Sequence, residues 1–536
     1  MKQIARNISM NVKKLPIGIQ SFEKLRESGY LYVDKTESIF HMIMSGSVYF
    51  LSRPRRFGKS LLVSTLEALF KGKKALFKGL YIYDKWDWSQ QYPVVRIDWT
   101  LIDHSTPEKM EISLMGYLEE RAKNYQIILT KKSVPDRFRE LITVLHEKTG
   151  QKAVVLIDEY DKPITSHLFD SQLNAVRTAV HDFYQVLKGS DEHLQFIFLT
   201  GVSKFSGLSV FSALNQLDDI TLHEQFASIC GYTQEELETN FSDYIDDTAE
   251  HLDMTKDQLL DEIRYWYNGY TWDGKTSIYN PFSTLIFFSA QEFAGYWFAT
   301  GTPTFLVEII QRHNSANMIL EPFIVNEDVF RGYNPPDMEE APLLFQTGYL
   351  TVKRKERVHG IPRYTLDVPN SEVREAFSKS LLNVYGKYHG NRLNDLRWAM
   401  EQQINDCDEA GFAVSLEVMI ATVPYELHRA DEAYYHTMML IWMRLLGFKI
   451  HGETPNNRGR ADAVWEQPEL TVIAEIKYHA EKKTDVLLQE AMTQIHERRY
   501  YNAYTGKIIL LGIAFSGKEV GCRMEELNRK AQSKNI

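Results

Sequence analysis

Three residues near the end of the chain constrain the fold of this region more than any other feature. Asp462 opens one apolar stretch, and after a hairpin-length gap Glu475-Ile476-Lys477 ends a second. Residues two apart in a strand point to the same face, so Glu475 and Lys477 converge while Ala474 and Ile476 face a core. Asp462 can then approach Glu475 from the neighbouring strand. The pattern predicts two adjacent strands that together carry an acidic site.

This arrangement suits metal-assisted hydrolysis of a phosphodiester. The carboxylates of Asp462 and Glu475 can share a Mg²⁺ ion, which prefers oxygen ligands and keeps several waters. Lys477 can lower the pKa of the attacking water or steady the charge that develops on phosphorus. We therefore expect Asp462, Glu475 and Lys477 to be catalytic. The alternative is a salt-bridged surface hairpin with an ordinary Glu-Ile-Lys sequence.

The motif resembles that of the PD-(D/E)XK nuclease superfamily, and its surroundings match as well. Glu432 opens an amphipathic helix predicted to run to Leu446, which resembles the first core helix of that family and its frequent extra acidic metal ligand. Gln494 lies on the predicted helix after the Glu-x-Lys strand, where many members carry a glutamine. Ala461 replaces the proline that gives the motif its name. The resemblance implies a restriction-endonuclease-like α/β domain with Glu432 as a further metal ligand.

A second motif lies near the other end of the chain, where an apolar strand, Val48 to Leu51, is followed by a loop and a helix from Leu61 to Phe70. The loop ends in Gly-Lys-Ser, which is the P-loop arrangement; backbone N–H groups and the helix N-terminus cradle phosphate there. Arg53 stands where the first glycine of such loops is usual. The loop residues expected to bind nucleotide are Arg55, Arg56, Phe57, Gly58, Lys59 and Ser60, with Lys59 on the phosphates and Ser60 on Mg²⁺.

Two further apolar segments complete an ATPase pattern. Ala153 to Ile157 precede Asp158-Glu159, as a Walker B strand requires, so Asp158 would hold Mg²⁺ and Glu159 would polarise the hydrolytic water. A third apolar segment ends at Thr200, where a residue that senses the terminal phosphate would stand. The alternative is a parallel-sheet domain in which Asp158-Glu159 merely caps a strand.

Together these motifs resemble those of bacterial AAA-ATPase-like proteins that carry a C-terminal PD-(D/E)XK nuclease domain. The resemblance covers nearly the whole chain. Besides the C-terminal motif, the segments that carry it are Pro16–Phe22, Tyr30–Thr36, Arg53–Ser60, Ile157–Pro163 and Tyr267–Tyr270. In that family the arginine-rich loop is the normal Walker A form. The resemblance implies an α/β multidomain protein that uses ATP and Mg²⁺, with an N-terminal P-loop AAA-type ATPase and a helical lid.

The length of 536 residues is too great for one core and predicts about three domains. We expect the ATPase domain and its lid at 1–290, a helical and winged-helix-like region at 291–400, and the nuclease-like domain at 401–536. The middle region contains a predicted hairpin with Lys353, Arg354, Lys355 and Arg357. These cations could touch DNA phosphate, or they could simply form a solvated turn.

Composition restricts the cellular compartment and the kinds of site that we expect for this protein. No stretch of about 20 uncharged apolar residues and no signal peptide is apparent, so we expect a cytoplasmic protein without a membrane partner. The three cysteines are far apart, which excludes a cysteine-built metal site. The net charge is −10, yet residues 1–80 hold 15 Lys and Arg against 5 Asp and Glu. Positive charge is therefore concentrated around the predicted P-loop.

The leading hypothesis is an ATP-dependent or ATP-regulated nuclease that acts on nucleic acid, with DNA as the expected substrate and a homo-oligomer formed through the ATPase domain. A role in defence or mobile-element biology fits such a fusion. The competing hypothesis is a signalling or assembly ATPase whose nuclease-like domain serves as a binding platform and does not cut. Intact Asp462, Glu475 and Lys477 favour the first.

Overall fold

The computed structural model describes most of the chain. The described residues are 12–168, 170–205, 217–297, 322–330, 340–376, 391–421, 432–445, 448, 450–456, 459–467, 470–517 and 519–529. They fall into two compact units. The first contains the described residues up to Trp297 and from 322 to Arg374, and the second contains those from Glu375 onward.

A parallel sheet forms the centre of the first unit. Its strands are β1 Val48–Ser52, β2 Val94–Asp98, β3 Ala153–Asp158, β4 Leu194–Gly201 and β5 Asp218–Asp219, in the order β2-β3-β4-β1-β5. All four pairings are parallel. The strands β1 and β3 are buried along their whole length, as expected for a parallel sheet covered on both faces. The three apolar strands that the sequence predicts are confirmed.

Helices cover this sheet and surround it. They are α1 Phe22–Glu27, α2 Thr36–Ser45, α3 Lys59–Phe70, α4 Pro107–Lys123, α5 Val134–Thr149, α6 Lys162–Thr165 and α7 Leu173–Lys188. The helix α3 begins directly after the loop that follows β1, two residues earlier than the sequence predicts. Thr106 and Ser133 cap α4 and α5 by accepting hydrogen bonds from backbone N–H groups, and a proline follows each cap within the first turn.

Four further helices lie in the region predicted as a lid, α8 Gln234–Asn240, α9 Ser242–His251, α10 Lys256–Tyr267 and α11 Pro281–Ala290, and their role over a nucleotide stays a prediction. Capping boxes start two of them, with Thr233 paired to Glu236 and Thr255 paired to Gln258. Their apolar faces form a core of their own, to which Leu31 and Val33 of the N-terminal segment also belong.

A small antiparallel sheet also belongs to the first unit. It contains β6 Phe323–Val325, β7 Thr351–Val358 and β8 Ile361–Asp367 in the order β6-β8-β7, and the helix α12 Glu340–Thr347 lies between β6 and β7 in the chain. The predicted hairpin is thus present, but the division of the chain differs from the expected separate middle domain. Thr271 N–H donates to Thr351 Oγ1 at 2.7 Å, and Asn370 Nδ2 donates to the Asn268 carbonyl at 2.8 Å. These bonds join the small sheet and the residues after it to the segment between α10 and α11.

The second unit is a mixed sheet with helices on both faces. Its helices are α13 Asn391–Asn405, α14 Glu409–Ala421, α15 Glu432–Leu445 and α16 Thr484–Arg498. Its strands are β9 Ile450–Asn456, β10 Gly459–Gln467, β11 Leu470–Tyr478, β12 Gly506–Ser516 and β13 Glu519–Arg529, in the order β13-β12-β11-β10-β9. The strand β11 pairs antiparallel with β10 and parallel with β12.

Alternate residues of β11 face two different cores. Ala474 and Ile476 belong to the large core that includes residues of α13, α14 and α15, whereas Ile473 belongs to the smaller core with Met492 and Ile495 of α16. Glu475 and Lys477 lie two and four residues after Ile473. They are therefore on the same face of the sheet, the face covered by α16, as the strand period predicts. In the part of the chain that the structure describes, no helix is long and apolar enough to cross a membrane.

Candidate functional site

The loop after β1 has the backbone of a phosphate cradle. Gly58, with φ of +92°, caps α3 in the left-handed conformation, which only glycine adopts without strain. Lys59 is buried; its ammonium donates to the Pro54 carbonyl at 3.1 Å and lies 3.5 Å from Glu159 Oε1. The loop therefore turns back over its own lysine. A phosphate that binds the Lys59 ammonium would compete for it with the Pro54 carbonyl and the Glu159 carboxylate.

Arg53, which replaces the usual first glycine, is a core residue of the first unit. It is fully buried, and its guanidinium donates to the carbonyls of Ser52 at 2.9 Å, Thr221 at 2.9 Å and Phe226 at 3.2 Å. The guanidinium carbon also lies 4.0 Å from the centre of the Trp272 ring. Burial lowers the pKa of Arg53 to about 10. The arginine side chain thus fastens the loop to the segment after β5.

The other loop residues occupy distinct surroundings. The Arg55 carbonyl accepts a hydrogen bond from Trp297 Nε1 at 3.1 Å, and Arg56, at φ of 68°, stacks its guanidinium over Phe282 at 3.8 Å. Phe57 is fully buried and its ring lies 4.7 Å from that of Tyr270. Phe57 thus anchors the loop in the core. Contacts of Arg55 and Arg56 with nucleotide stay a prediction.

The carboxyl end of β3 brings Asp158 and Glu159, the predicted Walker B residues, to the loop. Asp158 is 1% exposed, and its Oδ1 has no hydrogen-bond partner within the described residues. Burial raises the pKa of Asp158, while a hydrogen bond with Ser60 opposes this shift. Asp158 Oδ2 also lies 3.7 Å from Nη2 of Arg96, whose Nη1 bonds Glu67 at 3.3 Å. The unpartnered oxygen of this buried carboxylate, next to Ser60, fits the oxygen ligands that Mg²⁺ requires.

Thr200 is buried at the end of β4, where its hydroxyl donates to the Leu51 carbonyl at 2.8 Å. Its role as a phosphate sensor stays a prediction, since this bond holds it against β1. The next turn is fixed by Asp161, whose carboxylate accepts the N–H groups of Val202 and Ser203, the latter at 2.7 Å. Burial raises the pKa of Asp161 to about 6.

An apolar cavity adjoins the start of α3. Gly58 and Leu61 line one wall, and the remaining lining includes Tyr32, Val33, Ile39, Ile229, Tyr232 and Pro281. Lys35 also lines it and forms an ion pair with Glu236 of α8 at 2.6 Å. The N-terminal segment and the lid thus enclose an apolar space directly beside the phosphate cradle.

In the second unit the residues of the Asp…Glu-x-Lys motif converge. Glu475 is fully buried, and its Oε1 accepts hydrogen bonds from Gln494 Nε2 and, at 3.2 Å, from Lys477 Nζ. Its Oε2 has no hydrogen-bond partner among the described residues. Burial, and then the charge of Asp462, raise the pKa of Glu475 to about 7. The carboxylate of Asp462 therefore lies close to the buried carboxylate of Glu475. A cation bound to both would stabilise their ionised forms.

Asp462 and Glu432 complete this cluster from two other elements. Asp462 Oδ2 accepts the Ile476 N–H at 2.8 Å, and burial raises the pKa of Asp462. Glu432, whose side chain is 50% exposed at the start of α15, lies 3.5 Å from Lys477 Nζ. Burial opposes ionisation of Lys477, but the carboxylates of Glu475 and Glu432 raise its pKa. The ammonium thus stands between two carboxylates.

These residues fit a Mg²⁺ ion held by few protein ligands. Among the described residues, no group of three or more His, Cys, Asp and Glu side chains is placed to hold a metal. Mg²⁺ differs from zinc in this respect, since one or two carboxylates and several waters satisfy it. Asp462 and the unpartnered oxygen of Glu475 match that requirement. Glu432, which pairs with Lys477, stays a predicted accessory ligand.

The sequence reasoning missed two residues that support these clusters. Arg96 contacts Asp158 and Glu67, and its position in the apolar run Val94–Asp98 was the available signal, because a charge inside a buried strand needs a partner. His436 Nε2 is 2.8 Å from the Asp462 carbonyl oxygen. It lies one turn after Glu432, on the same side of α15.

Fold and sites together define a P-loop protein of the AAA type with a nuclease-like α/β unit. A family model described as a predicted AAA-ATPase matches residues 16–211, and the PD-(D/E)XK nuclease superfamily model matches residues 430–525. The chain is similar to a protein of Azotobacter chroococcum mcd 1 described as an uncharacterized protein in the vnfD 5′ region, with 36% identity over 520 residues, which cover 95% of this chain and 97% of the relative. The chain belongs to the AAA-ATPase-like family and carries a PD-(D/E)XK nuclease superfamily domain at its C-terminus.

Proposed function

We propose that this protein binds and hydrolyses ATP and that this activity controls a Mg²⁺-dependent nuclease in the same chain, which cuts DNA. The observation that carries the proposal is the convergence of Asp462, Glu475 and Lys477, with one buried Glu475 oxygen that has no partner in the described part of the protein. Leaving such a group unsatisfied costs about 1–3 kcal/mol or more, so its retention favours a role in binding a ligand.

Each residue of the nuclease site has a distinct task in this proposal. Asp462 and Glu475 would hold Mg²⁺, which when bound supplies a Lewis acid and a water of lowered pKa. Gln494 fixes one oxygen of Glu475 and leaves the other available. Lys477 remains cationic beside two carboxylates and can stabilise negative charge on the phosphate during cleavage.

The ATPase half rests on the same kind of argument. Lys59 would contact the phosphates, Ser60 and Asp158 would hold the Mg²⁺ of the nucleotide, and Glu159 would orient the attacking water. The apolar cavity beside Gly58 has the lining and the position to take the base. Arg55 and Arg56 are proposed to add charge toward the nucleotide or toward a neighbouring copy of the chain. Replacing either with alanine should then lower ATP turnover.

A second candidate function has an observation in its favour. Lys477 already pairs with Glu475 at 3.2 Å and Glu432 at 3.5 Å, so its charge balances part of the acidic cluster without a metal; the nuclease-like unit could then bind nucleic acid without cutting it while ATP drives assembly or signalling. The two proposals differ in whether the carboxylates of Asp462 and Glu475 are needed for a chemical step. A role in defence or mobile-element biology is compatible with both.

The test is a cleavage assay with purified full-length protein. Linear, circular and single-stranded DNA, and the corresponding RNA, are incubated with Mg²⁺ in the presence and absence of ATP. We expect DNA cleavage that requires Mg²⁺ and is lost in Glu475→Gln, a variant of the same shape. Glu481→Gln is the matched control, since Glu481 is exposed just beyond the same strand. DNA binding without cleavage by the wild type would support the platform, and equal cleavage by both variants would refute this site.

A further inference from the structure

A cavity of about 530 Å³ lies in the first unit, lined by residues other than those of the phosphate-binding loop. This volume is typical of a site for a small molecule. Its walls come from the start of α8, from α10 and the segment after it, from β7, and from the end of β8 and the residues that follow. Charged and amide side chains dominate the lining and include Gln234, Arg264, Asn268, Lys353, Asp367 and Arg374.

Gly269 explains how a lysine enters this cavity. The residue has φ of +100°, and a Cβ there would lie 2.1 Å from the Pro369 carbonyl oxygen and 3.2 Å from Lys353 Nζ. Only glycine permits this approach of two backbone segments. The Lys353 ammonium donates to the carbonyls of Pro369 at 2.7 Å and Gly269 at 3.4 Å. Both acceptors are neutral, so these bonds orient the ammonium without neutralising its charge.

Positive charge exceeds negative charge around the cavity. Arg374 is 3.7 Å from Asp367, and Arg264 pairs at 2.6 Å with Asp261, outside the lining. The three cations Lys353, Arg264 and Arg374 outnumber the two carboxylates, Asp367 and Asp261. Lys353 is exposed as a residue, but its ammonium lies against the Pro369 and Gly269 carbonyls and is partly desolvated. This desolvation lowers the pKa of Lys353 to about 8, with Asp367 opposing the shift and the nearby charge of Arg374 adding to it.

We propose that this cavity is a second ligand site of the protein and that it binds a small phosphomonoester. A phosphate group offers three terminal oxygens and about −1.5 to −2 charges, which matches several converging donors better than the two oxygens of a carboxylate do. Guanidinium groups suit such oxygens because their N–H donors form a planar fork. Gln234 Nε2, which donates one hydrogen bond to Glu238 at 2.7 Å, has a second N–H that can bond the remainder of the ligand.

The cavity also gives a use to a sequence segment that the ATPase and nuclease assignments leave unexplained. Asn268-Gly269 lies within the Tyr267–Tyr270 segment, and both residues line the cavity. Asn268 is held in place because its Oδ1 accepts hydrogen bonds from the Gly269 N–H and from the Ser277 hydroxyl. The asparagine and glycine therefore build the cavity wall.

The experiment is a calorimetric titration of full-length protein with inorganic phosphate and with ribose 5-phosphate. A Lys59→Ala background removes the ammonium of the phosphate-binding loop, so that binding at that loop does not mask the second site. In this background Lys353→Ala and Arg374→Ala should each weaken binding about tenfold or more, since each removes a charge-assisted hydrogen bond. Arg354→Ala is the control, because Arg354 is the neighbour of Lys353 on β7 but does not line the cavity.

The outcomes separate the alternatives. Arg374→Lys should retain part of the affinity, because it keeps the charge, and thermal unfolding of each variant shows whether the fold is intact. No measurable binding in the Lys59→Ala background would overturn the proposal, as would equal affinity in the Arg374→Ala and Arg354→Ala variants. The same holds if these substitutions weaken binding of a 5′-phosphorylated oligonucleotide but not of ribose 5-phosphate, since the ligand would then be nucleic acid.

Discussion

Replacing Arg53 with glycine would give the loop after β1 the residue with which such loops usually begin. We nevertheless expect this change to destabilise the first unit. The guanidinium of Arg53 is fully buried, bonds three carbonyls and stacks on Trp272. Glycine would leave a space in the core and would leave the carbonyls of Thr221 and Phe226 without this donor.

The magnitude follows from these contacts. A hydrogen bond that involves a charged group contributes about 1.5–3 kcal/mol, and a desolvated cation–π contact contributes about 2 kcal/mol. Part of this is offset because the cost of burying the charge disappears along with the arginine. Removing one side of a buried charged contact typically costs about 3–5 kcal/mol, and we expect a loss in that range for Arg53→Gly. Such a loss should lower the unfolding temperature of the first unit by about 5 °C or more.

The assay is thermal unfolding of the purified protein, with ATP binding measured below the transition. Arg55→Gly is the control, because it changes the same loop two residues away, and we expect a small shift for it. Arg53→Lys should fall between wild type and Arg53→Gly, since lysine keeps the charge but not the planar fork of donors. If Arg53→Gly unfolds at the wild-type temperature and binds ATP more tightly, the assignment of Arg53 to the core is wrong.

The remaining predictions concern the two proposed active sites. Lys59→Ala should abolish detectable ATP binding in a filter or fluorescence assay, because the ammonium supplies the charge on the phosphates; wild-type affinity would contradict the P-loop assignment. Glu159→Gln should bind ATP normally and hydrolyse it slowly, which single-turnover kinetics would show. Asp462→Ala should abolish cleavage and also lower the free energy of unfolding by about 1–3 kcal/mol, since the Ile476 N–H loses its acceptor, as denaturant unfolding can measure. Lys477→Ala should keep metal binding and lose cleavage rate by a factor of about 10²–10³; retention of the full rate would exclude its role in stabilising charge.

Periodicity and apolar runs predicted much of the fold correctly. The strands β1, β3 and β4, the helix after the loop and the strand β11 were all accessible, because a buried strand needs a continuous or alternating apolar pattern that the sequence displays directly. The strand β2, with Arg96 at its centre, was missed, since a charge inside the run obscures that pattern. The short strand β5 carries two aspartates and gives no such signal.

Residue types at fixed spacing likewise indicated which side chains could do chemistry. Glu475 and Lys477 share a face because the strand period is two, and this follows from the sequence alone. That Glu475 is fully buried, that Gln494 holds one of its oxygens and that Glu432 lies near Lys477 depends on the packing of α15 and α16 against the sheet. Contacts between residues distant in the chain are set by tertiary packing and have no local signature.

The sequence by itself determined the two motifs, the strand that carries each and the class of chemistry that their residue types permit. Only the tertiary structure decided that Arg53 is a core residue, that the small sheet of β6, β7 and β8 belongs to the first unit, and that Lys353 and Arg374 line one cavity. The physical reason is that a local pattern fixes which face of an element a side chain occupies. The residues that pack against that face come from segments far away in the chain. The hydrogen bond between Asn370 and Asn268, which are 102 residues apart, is an example.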